Sequence, residues 1–294
     1  MHHPGSLETG AHELAAAHAV SSGPPRLINS LARLGKMPAW LVGARAAFVE
    51  PEGPAAKAAE WLLDNAYVVQ RAVRQIREDM PAGFYARLRP LAIDGRPDAP
   101  RIYSLAHALL RAANVQLAPE VVTRFVNAYQ KVAPLDMAEI WALPTMLRLA
   151  CLELLVAALE RLAPTVAPPF APDPYPPTPP SLEDTECVAR AIRGLATIAS
   201  ISWKECFRRT SLVEAELHDD PMRVYRHMDF DTCDRYRKVV EALARRTQLP
   251  EVEVARRAVR EARRAATHGG RRSHVGYWLI DGGRGRLEAA LGYR

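Results

Sequence analysis

Nine prolines lie between positions 164 and 180, among them the pairs Pro168-Pro169, Pro176-Pro177 and Pro179-Pro180. Each removes a backbone donor and fixes one dihedral, so the stretch favours an extended, semi-rigid linker over helix or central strand. On both sides of it, apolar residues recur with a helical period and the breaks fall at prolines and capping residues. No alternating strand pattern and no internal repeat stands out. The expected fold class is therefore all-α, a multi-helix array in two helical subdomains joined by the Pro-rich linker. The expected division is an N-terminal helical extension over 1–58, a first helical subdomain over 59–163, the linker over 164–180 and a basic helical subdomain over 181–294.

Within that frame, helices are expected over 8–20, 26–34 and 39–49. A longer one runs from after Pro51 to Pro81, and others cover 101–113 and 119–132. The stretch 136–163 is the strongest candidate for a core helix, with Pro144 kinking it or starting a second helix. Its charged residues Arg148, Glu153, Glu160 and Arg161 argue for a buried helix rather than a membrane span. After the linker, Ser181 with Asp184 three residues on predicts a capped helix to about Ser200. Shorter helices follow near 202–209 and 211–218, then stronger ones over 232–247 and 250–266, and helical turns over 274–280 and 284–291.

Hydrophobic residues make up 49% of the 294 residues and charged residues 24%, the balance of a chain that can bury a real core. The net charge of +6 is concentrated at one end. Residues 222–294 hold 17 Lys or Arg against 9 Asp or Glu, which points to an anionic partner. Cys151, Cys187, Cys206 and Cys233 form no C-x-x-C pair, so a zinc knuckle and a redox dithiol are both unsupported and a reducing compartment is the simpler reading. Residues 1–23 lack the pattern of a signal peptide.

Few motifs carry chemistry. Asp229-Phe230-Asp231 has the D-x-D spacing that can hold a divalent metal against a diphosphate, but it immediately precedes a helix, where Asp231 or Thr232 serves as N-cap. His218, Asp219, Asp220 and His227 are metal-ligand types without a spacing that sets a geometry. Cys206 shares a helical face with Trp203 and Phe207 and reads as core. No phosphate-binding glycine loop, G-x-S-x-G or H-E-x-x-H is present. Catalytic residues and metal ligands are accordingly expected to be none, and no cofactor is expected in this chain. Arg256, Arg257, Arg260, Arg263, Arg264, Arg271 and Arg272 are candidate anion or lipid contacts, against the plainer reading of a solvated helix face neutralised by Glu253 and Glu261. Without interleaved aromatics they give nucleic acid the weaker claim as partner.

Several ordered stretches resemble the region that precedes the first membrane helices of the bacterial cyclic β-1,2-glucan synthases. In the first half these are Ala59-Glu60-Trp61-Leu62-Leu63-Asp64-Asn65, Arg74-Gln75-Ile76-Arg77-Glu78-Asp79-Met80-Pro81 with Gly83-Phe84-Tyr85, and Pro100-Arg101-Ile102-Tyr103. Arg124-Phe125-Val126, Ala128-Tyr129-Gln130, Val132-Ala133-Pro134-Leu135 and Glu139-Ile140-Trp141-Ala142-Leu143-Pro144 follow. After the linker come Ser211-Leu212-Val213-Glu214, Asp220-Pro221, Met228-Asp229-Phe230, Asp234-Arg235-Tyr236-Arg237 and His274-Val275-Gly276-Tyr277-Trp278-Leu279-Ile280-Asp281. The resemblance covers about Glu60 to the C-terminus.

It implies a part of a large inner-membrane enzyme that builds a β-1,2-linked glucose ring from UDP-glucose, with transfer assigned to a membrane-embedded domain downstream. The chain lacks the Q-x-x-R-W signature of processive glycan synthases, so the expected role is scaffolding or regulatory, without a catalytic centre of its own. The implied partners are the downstream glycosyltransferase and membrane domains of the same or a split protein, together with an anionic membrane surface. The implied location is the cytoplasmic face of the bacterial inner membrane. Trp61, Tyr85, Tyr103, Phe125, Tyr129 and Trp141 are candidate core or sugar-groove aromatics. Two other classes stay open: a free-standing adaptor binding anionic lipid or nucleic acid through its arginine-rich end, and a transferase using Asp229 and Asp231.

Overall fold

The computed structural model describes residues 4–47, 54–162, 167–171, 182–267 and 270–293. By packing, they form two compact units: 1–133 with 138–206, and 134–137 with 207–294.

In the first unit, α1 (Pro4–Ala17) packs on α7 (Arg101–Ala112) and α8 (Pro119–Gln130). The long helix expected before Pro81 is two helices, α4 (Pro54–Asp64) and α5 (Ala66–Asp79), broken at Asn65, whose side-chain amide donates to the Trp61 carbonyl at 3.0 Å. Asn competes with the helix through such local bonds, which accounts for the break. Preceding these are the short α2 (Asn29–Ala32) and α3 (Met37–Ala47), the latter packed on α4 and α5. The single turn α6 (Ala82–Tyr85) follows Pro81.

One hairpin departs from the all-helical expectation. Strands β1 (Pro90–Ile93) and β2 (Arg96–Pro100) pair antiparallel across Asp94 and Gly95, both at positive φ (49° and 73°). Asp-Gly is the strongest short-range signal for such a turn, because both central residues must tolerate φ > 0. Three prolines in the strands, Pro90, Pro97 and Pro100, hid the pattern.

α9 (Met137–Leu162) is a single 26-residue helix that carries Pro144 in its interior without ending there. It is apolar and long enough to cross a membrane, yet its apolar window is wholly buried in the folded chain. Its charged residues Glu139, Arg148 and Glu153 are buried as well.

α10 (Asp184–Ser200) was placed by composition with the basic second half, but it packs on α4 and α5 in the first unit. The described part of the proline-rich stretch belongs there too: Phe170 is buried and the Asn29 amide donates to the Ala171 carbonyl at 3.0 Å. Apart from the short segment 134–137, which belongs to the second unit, the chain therefore changes unit at Cys206/Phe207, inside α11 (Trp203–Thr210), rather than at the prolines. Ser181, expected as the cap of α10, lies outside the described residues, and Glu183 occupies the N-cap position.

The second unit is built around α14 (Glu251–Ala266). Its Val254, Ala255, Ala258, Val259 and Ala262 are buried, and the small residues let α12 (Leu212–His218), α13 (Phe230–Thr247) and α15 (Val275–Ile280) approach closely. Glu251 and Glu253 in its first turn and Arg263 and Arg264 in its last complement the helix dipole. α16 (Arg284–Ala290) packs on α15.

Gly194 on α10 sits in a close contact within the first unit, since a Cβ there would lie 3.2 Å from Cys151 Sγ and 3.5 Å from Val115 Cγ1. Gly194→Val should cost about 1–3 kcal/mol of stability by overpacking, read as a lower urea midpoint with an unchanged slope.

Candidate functional site

Most of the distinctive polar side chains gather in two buried networks, one in each unit. In the first unit, Arg101 on α7 forks onto Glu139 on α9, with Nε to Oε1 and Nη2 to Oε2 both at 2.7 Å, and both side chains are buried. Arg101 also bonds the Tyr129 hydroxyl oxygen, which leaves the phenolic hydrogen for His18 Nδ1 at 2.8 Å. The ring of His18 then donates from Nε2 to Ser104 Oγ at 3.1 Å. Burial, reinforced by the nearby Arg101 charge, pushes the imidazole down to about 4. Tyr129 is pushed up to about 12, chiefly by burial.

A second carboxylate on α9, Glu153, accepts from the Tyr103 hydroxyl at 2.9 Å and from Ser30 Oγ, and lies 2.6 Å from His107 Nε2. Tyr103, His107, Ser30 and Glu153 are all buried, so the hydroxyl bonds from Tyr103 and Ser30 replace water that folding removes from Glu153.

The second unit repeats the arrangement with different residues. Glu214 on α12 is held by Arg237 Nη1 at 2.9 Å and by the Tyr225 hydroxyl at 3.0 Å. The Arg237 guanidinium lies 4.3 Å from the Phe230 ring centroid and 5.2 Å from that of Phe207, and it donates to the Phe230 carbonyl at 3.0 Å. Burial alone would lower the Arg237 pKa, but the bond to Glu214 and its charge raise it.

Close by, Asp220 acts as a four-way clamp. Its Oδ1 accepts from Val275 N at 2.9 Å, and its Oδ2 accepts from Val224 N at 3.0 Å, Tyr225 N at 3.4 Å and His274 Nδ1 at 2.8 Å. Burial opposes ionisation of this carboxyl, yet the bonds from His274 and the backbone outweigh it and hold the pKa below the usual range. Since Asp220 can only accept, His274 Nδ1 carries the hydrogen, and Nε2 receives the Tyr236 hydroxyl at 3.2 Å. Gly276 permits this approach, because a Cβ there would lie 2.4 Å from the Tyr236 oxygen.

Tyr236 and His274 form part of the floor of an open cleft of about 280 Å³. The Asp220–His274–Tyr236 chain has the look of a proton relay. Burial and the Asp220 charge raise the Tyr236 pKa, however, so its hydroxyl stays protonated and is no activated nucleophile.

The sequence candidates distribute as follows. Tyr85, Tyr103, Phe125 and Tyr129 are buried, so their rings present no face to a sugar. Trp61 is half-buried, with the Arg193 guanidinium 4.5 Å from its ring centroid, and Trp141 is also half-buried. The six rings therefore do not line one groove. Asp229, not Asp231 or Thr232, caps α13, accepting from Thr232 N at 2.8 Å and Thr232 Oγ1 at 2.7 Å. Those bonds lower its pKa, and each Asp229 oxygen accepts one of them.

Within the His-Asp cluster, Asp219 pairs with Arg263 at 3.1 Å and His218 Nδ1 meets the Glu214 carbonyl at 2.9 Å, while Asp220 faces His274. Among the described residues, no three His, Cys, Asp or Glu side chains come together as a metal site. All four cysteines are buried thiols, and burial pushes Cys151 up to about 12.

Of the seven arginines, Arg256 pairs with Glu216 and Glu253, Arg257 with Glu253, Arg263 with Asp219 and Arg264 with Glu261. Arg260 is exposed on the same helix. Arg271 and Arg272 sit instead over Tyr277 at the cleft, 5.7 and 5.9 Å from its ring centroid.

No family model matches the chain. Among curated proteins it is 37% identical over 110 residues to the cyclic beta-(1,2)-glucan synthase NdvB of Rhizobium meliloti (strain 1021). That alignment takes in 37% of this chain and 4% of the synthase.

The His18 ring gives a pH test. Between about pH 6.5 and 4 the unfolded chain binds a proton that the folded ring refuses, so stability should fall as pH drops through that window. Urea titrations at pH 7 and pH 5 should show the loss, and His18→Gln should flatten that part of the slope. What similarity joins here is a third of this chain to a small part of a much longer glucan synthase.

Proposed function

We propose that this chain is a helical accessory region of a cyclic β-1,2-glucan synthase system, scaffolding or regulating glucosyl transfer that takes place elsewhere. The observation that carries the reading is the 37% identity over 110 residues to the NdvB synthase. The chain spans about 4% of that synthase, so the whole enzyme's activity is not assigned to this chain.

The side-chain chemistry supports the division of labour. Glycosyl transfer from a nucleotide sugar needs a carboxylate free to hold a metal or take a proton. Here the network carboxylates Glu139, Glu153, Glu214 and Asp220 are buried in bonds to their own unit. A rigid unit with fixed loops suits presentation to another domain.

Purified chain incubated with labelled UDP-glucose should release no glucose and form no glucan. Calorimetric titration with β-1,2-glucan or UDP-glucose should be flat, because four of the six candidate rings are buried and Arg193 lies against the ring of Trp61. Added to membranes carrying a synthase from which the matching region has been deleted, the chain should restore cyclic glucan output. Turnover by the chain alone, lost in Asp229→Asn, would establish the transferase reading instead. Failure to alter glucan output in any such membrane would remove the synthase role.

A further inference from the structure

Among the described residues of the second unit, three exposed apolar side chains line one cleft. Met222, Val224 and Ile280 are 47%, 38% and 49% exposed, and all three line it together with Tyr236 and Tyr277. Exposed apolar residues scattered singly need no explanation, but three around one opening form a patch with a shape.

The rim of that patch is cationic. Arg271 and Arg272 are exposed beside Tyr277, and Arg223 stands exposed between Met222 and Val224. Arg223 has φ +57°, a left-handed conformation that a long side chain adopts only when its surroundings enforce it. The enforcement is visible: Arg223 N bonds to the Asp220 carbonyl at 2.8 Å, while the Asp220 carboxylate ties down Val224 N, Val275 N and His274. One buried carboxylate thus fixes both walls of the cleft and turns Met222, Arg223 and Val224 outward. The carboxylate at the opening, Asp281, is 3.7 Å from Arg271, and both are more than half exposed, so the pair is weak.

We infer that this face docks on a membrane surface containing anionic lipid, the apolar trio entering the headgroup–acyl boundary and the arginines meeting phosphates. Apolar residues ringed by guanidinium groups match a bilayer interface, which supplies both chemistries within a few ångströms. A nucleic-acid backbone would leave Met222, Val224 and Ile280 in water. The basic surface of α14 is the weaker candidate, since four of its arginines already pair with carboxylates of this unit. The inference does not depend on the synthase reading.

The experiment is sedimentation of the full chain with phosphatidylcholine vesicles, with and without 30 mol% phosphatidylglycerol, at low and high salt. Binding is expected to the anionic vesicles only, and to weaken as salt rises. Arg271→Gln with Arg272→Gln should weaken it at least tenfold, from about fivefold per cation. Arg263→Gln with Arg264→Gln removes the same charge from α14 and should change it less than twofold. Met222→Ser with Ile280→Ser keeps the charge and should weaken binding roughly tenfold. All six positions are exposed, and circular dichroism with a melting curve checks that each variant folds.

Equal losses from the two arginine pairs, or no loss in the serine variant, would overturn the assignment to this face. Absence of anionic-vesicle binding, with capture of an acidic amphipathic peptide instead, would make the occupant a protein.

Discussion

A charge removed from water inside a protein survives only if another group replaces its hydration, and the two ion pairs Arg101–Glu139 and Arg237–Glu214 set the terms for the rest of this structure. Each pair joins helices distant in sequence, 38 residues apart in one case and 23 in the other. Apolar packing would accept many helix registers. Arg101 forked on Glu139, and Arg237 divided between Glu214 and the Phe230 carbonyl, each accept one, because guanidinium hydrogens point in fixed directions. The neighbouring phenols and imidazoles then fall into place around it, from Tyr129 and His18 in the first unit to Tyr225 and, through Asp220, His274 in the second.

The same networks explain why residues of reactive type need not signal catalysis. The motifs Pro100-Arg101-Ile102-Tyr103, Ala128-Tyr129-Gln130 and Glu139-Ile140-Trp141 supply one cluster. Ser211-Leu212-Val213-Glu214, Asp220-Pro221, Asp234-Arg235-Tyr236-Arg237 and His274-Val275-Gly276-Tyr277 supply the other. The ionic and hydrogen-bonding members of these stretches, Arg101, Tyr129, Glu139, Glu214, Asp220, Tyr236 and Arg237, are thus buried within their own units. A scaffold for glucan synthesis, as proposed above, would need such rigidity more than it would need a free carboxylate.

Much of the fold was legible because helical periodicity and proline punctuation are local signals. They located α7, α8, α9, α13 and α14 to within a few residues. What was not legible depended on distance or on competing cues. Asp94-Gly95 is a hairpin-turn pair, but three prolines in the flanking strands break the alternating pattern that would make the hairpin readable. Prolines also marked a division at 164–180, while Phe170 and α10 turned out to belong to the first unit through contacts no composition shift reveals.

In the candidate site, Glu153 was noted only as an interruption of an apolar run. A charge in the middle of a buried helix is itself a sign that partners exist, yet nothing in the sequence says they are Ser30, Tyr103 and His107. The cleft at His274 was unreadable for a similar reason, since it draws on residues from 222 to 281. The α13 cap, Asp229, lies two or three residues before the expected Asp231 or Thr232, an ordinary consequence of several acids near one helix start.

The most direct test of the claim that these networks hold the units together is a double-mutant cycle on Glu214 and Arg237, followed by urea unfolding at pH 7. Arg237→Met alone should cost about 3–5 kcal/mol, because it strands a buried carboxylate, and Glu214→Met with Arg237→Met together should recover a large part of that loss. A single variant as stable as the wild type, or a double variant whose loss is the plain sum of the two singles, would contradict it.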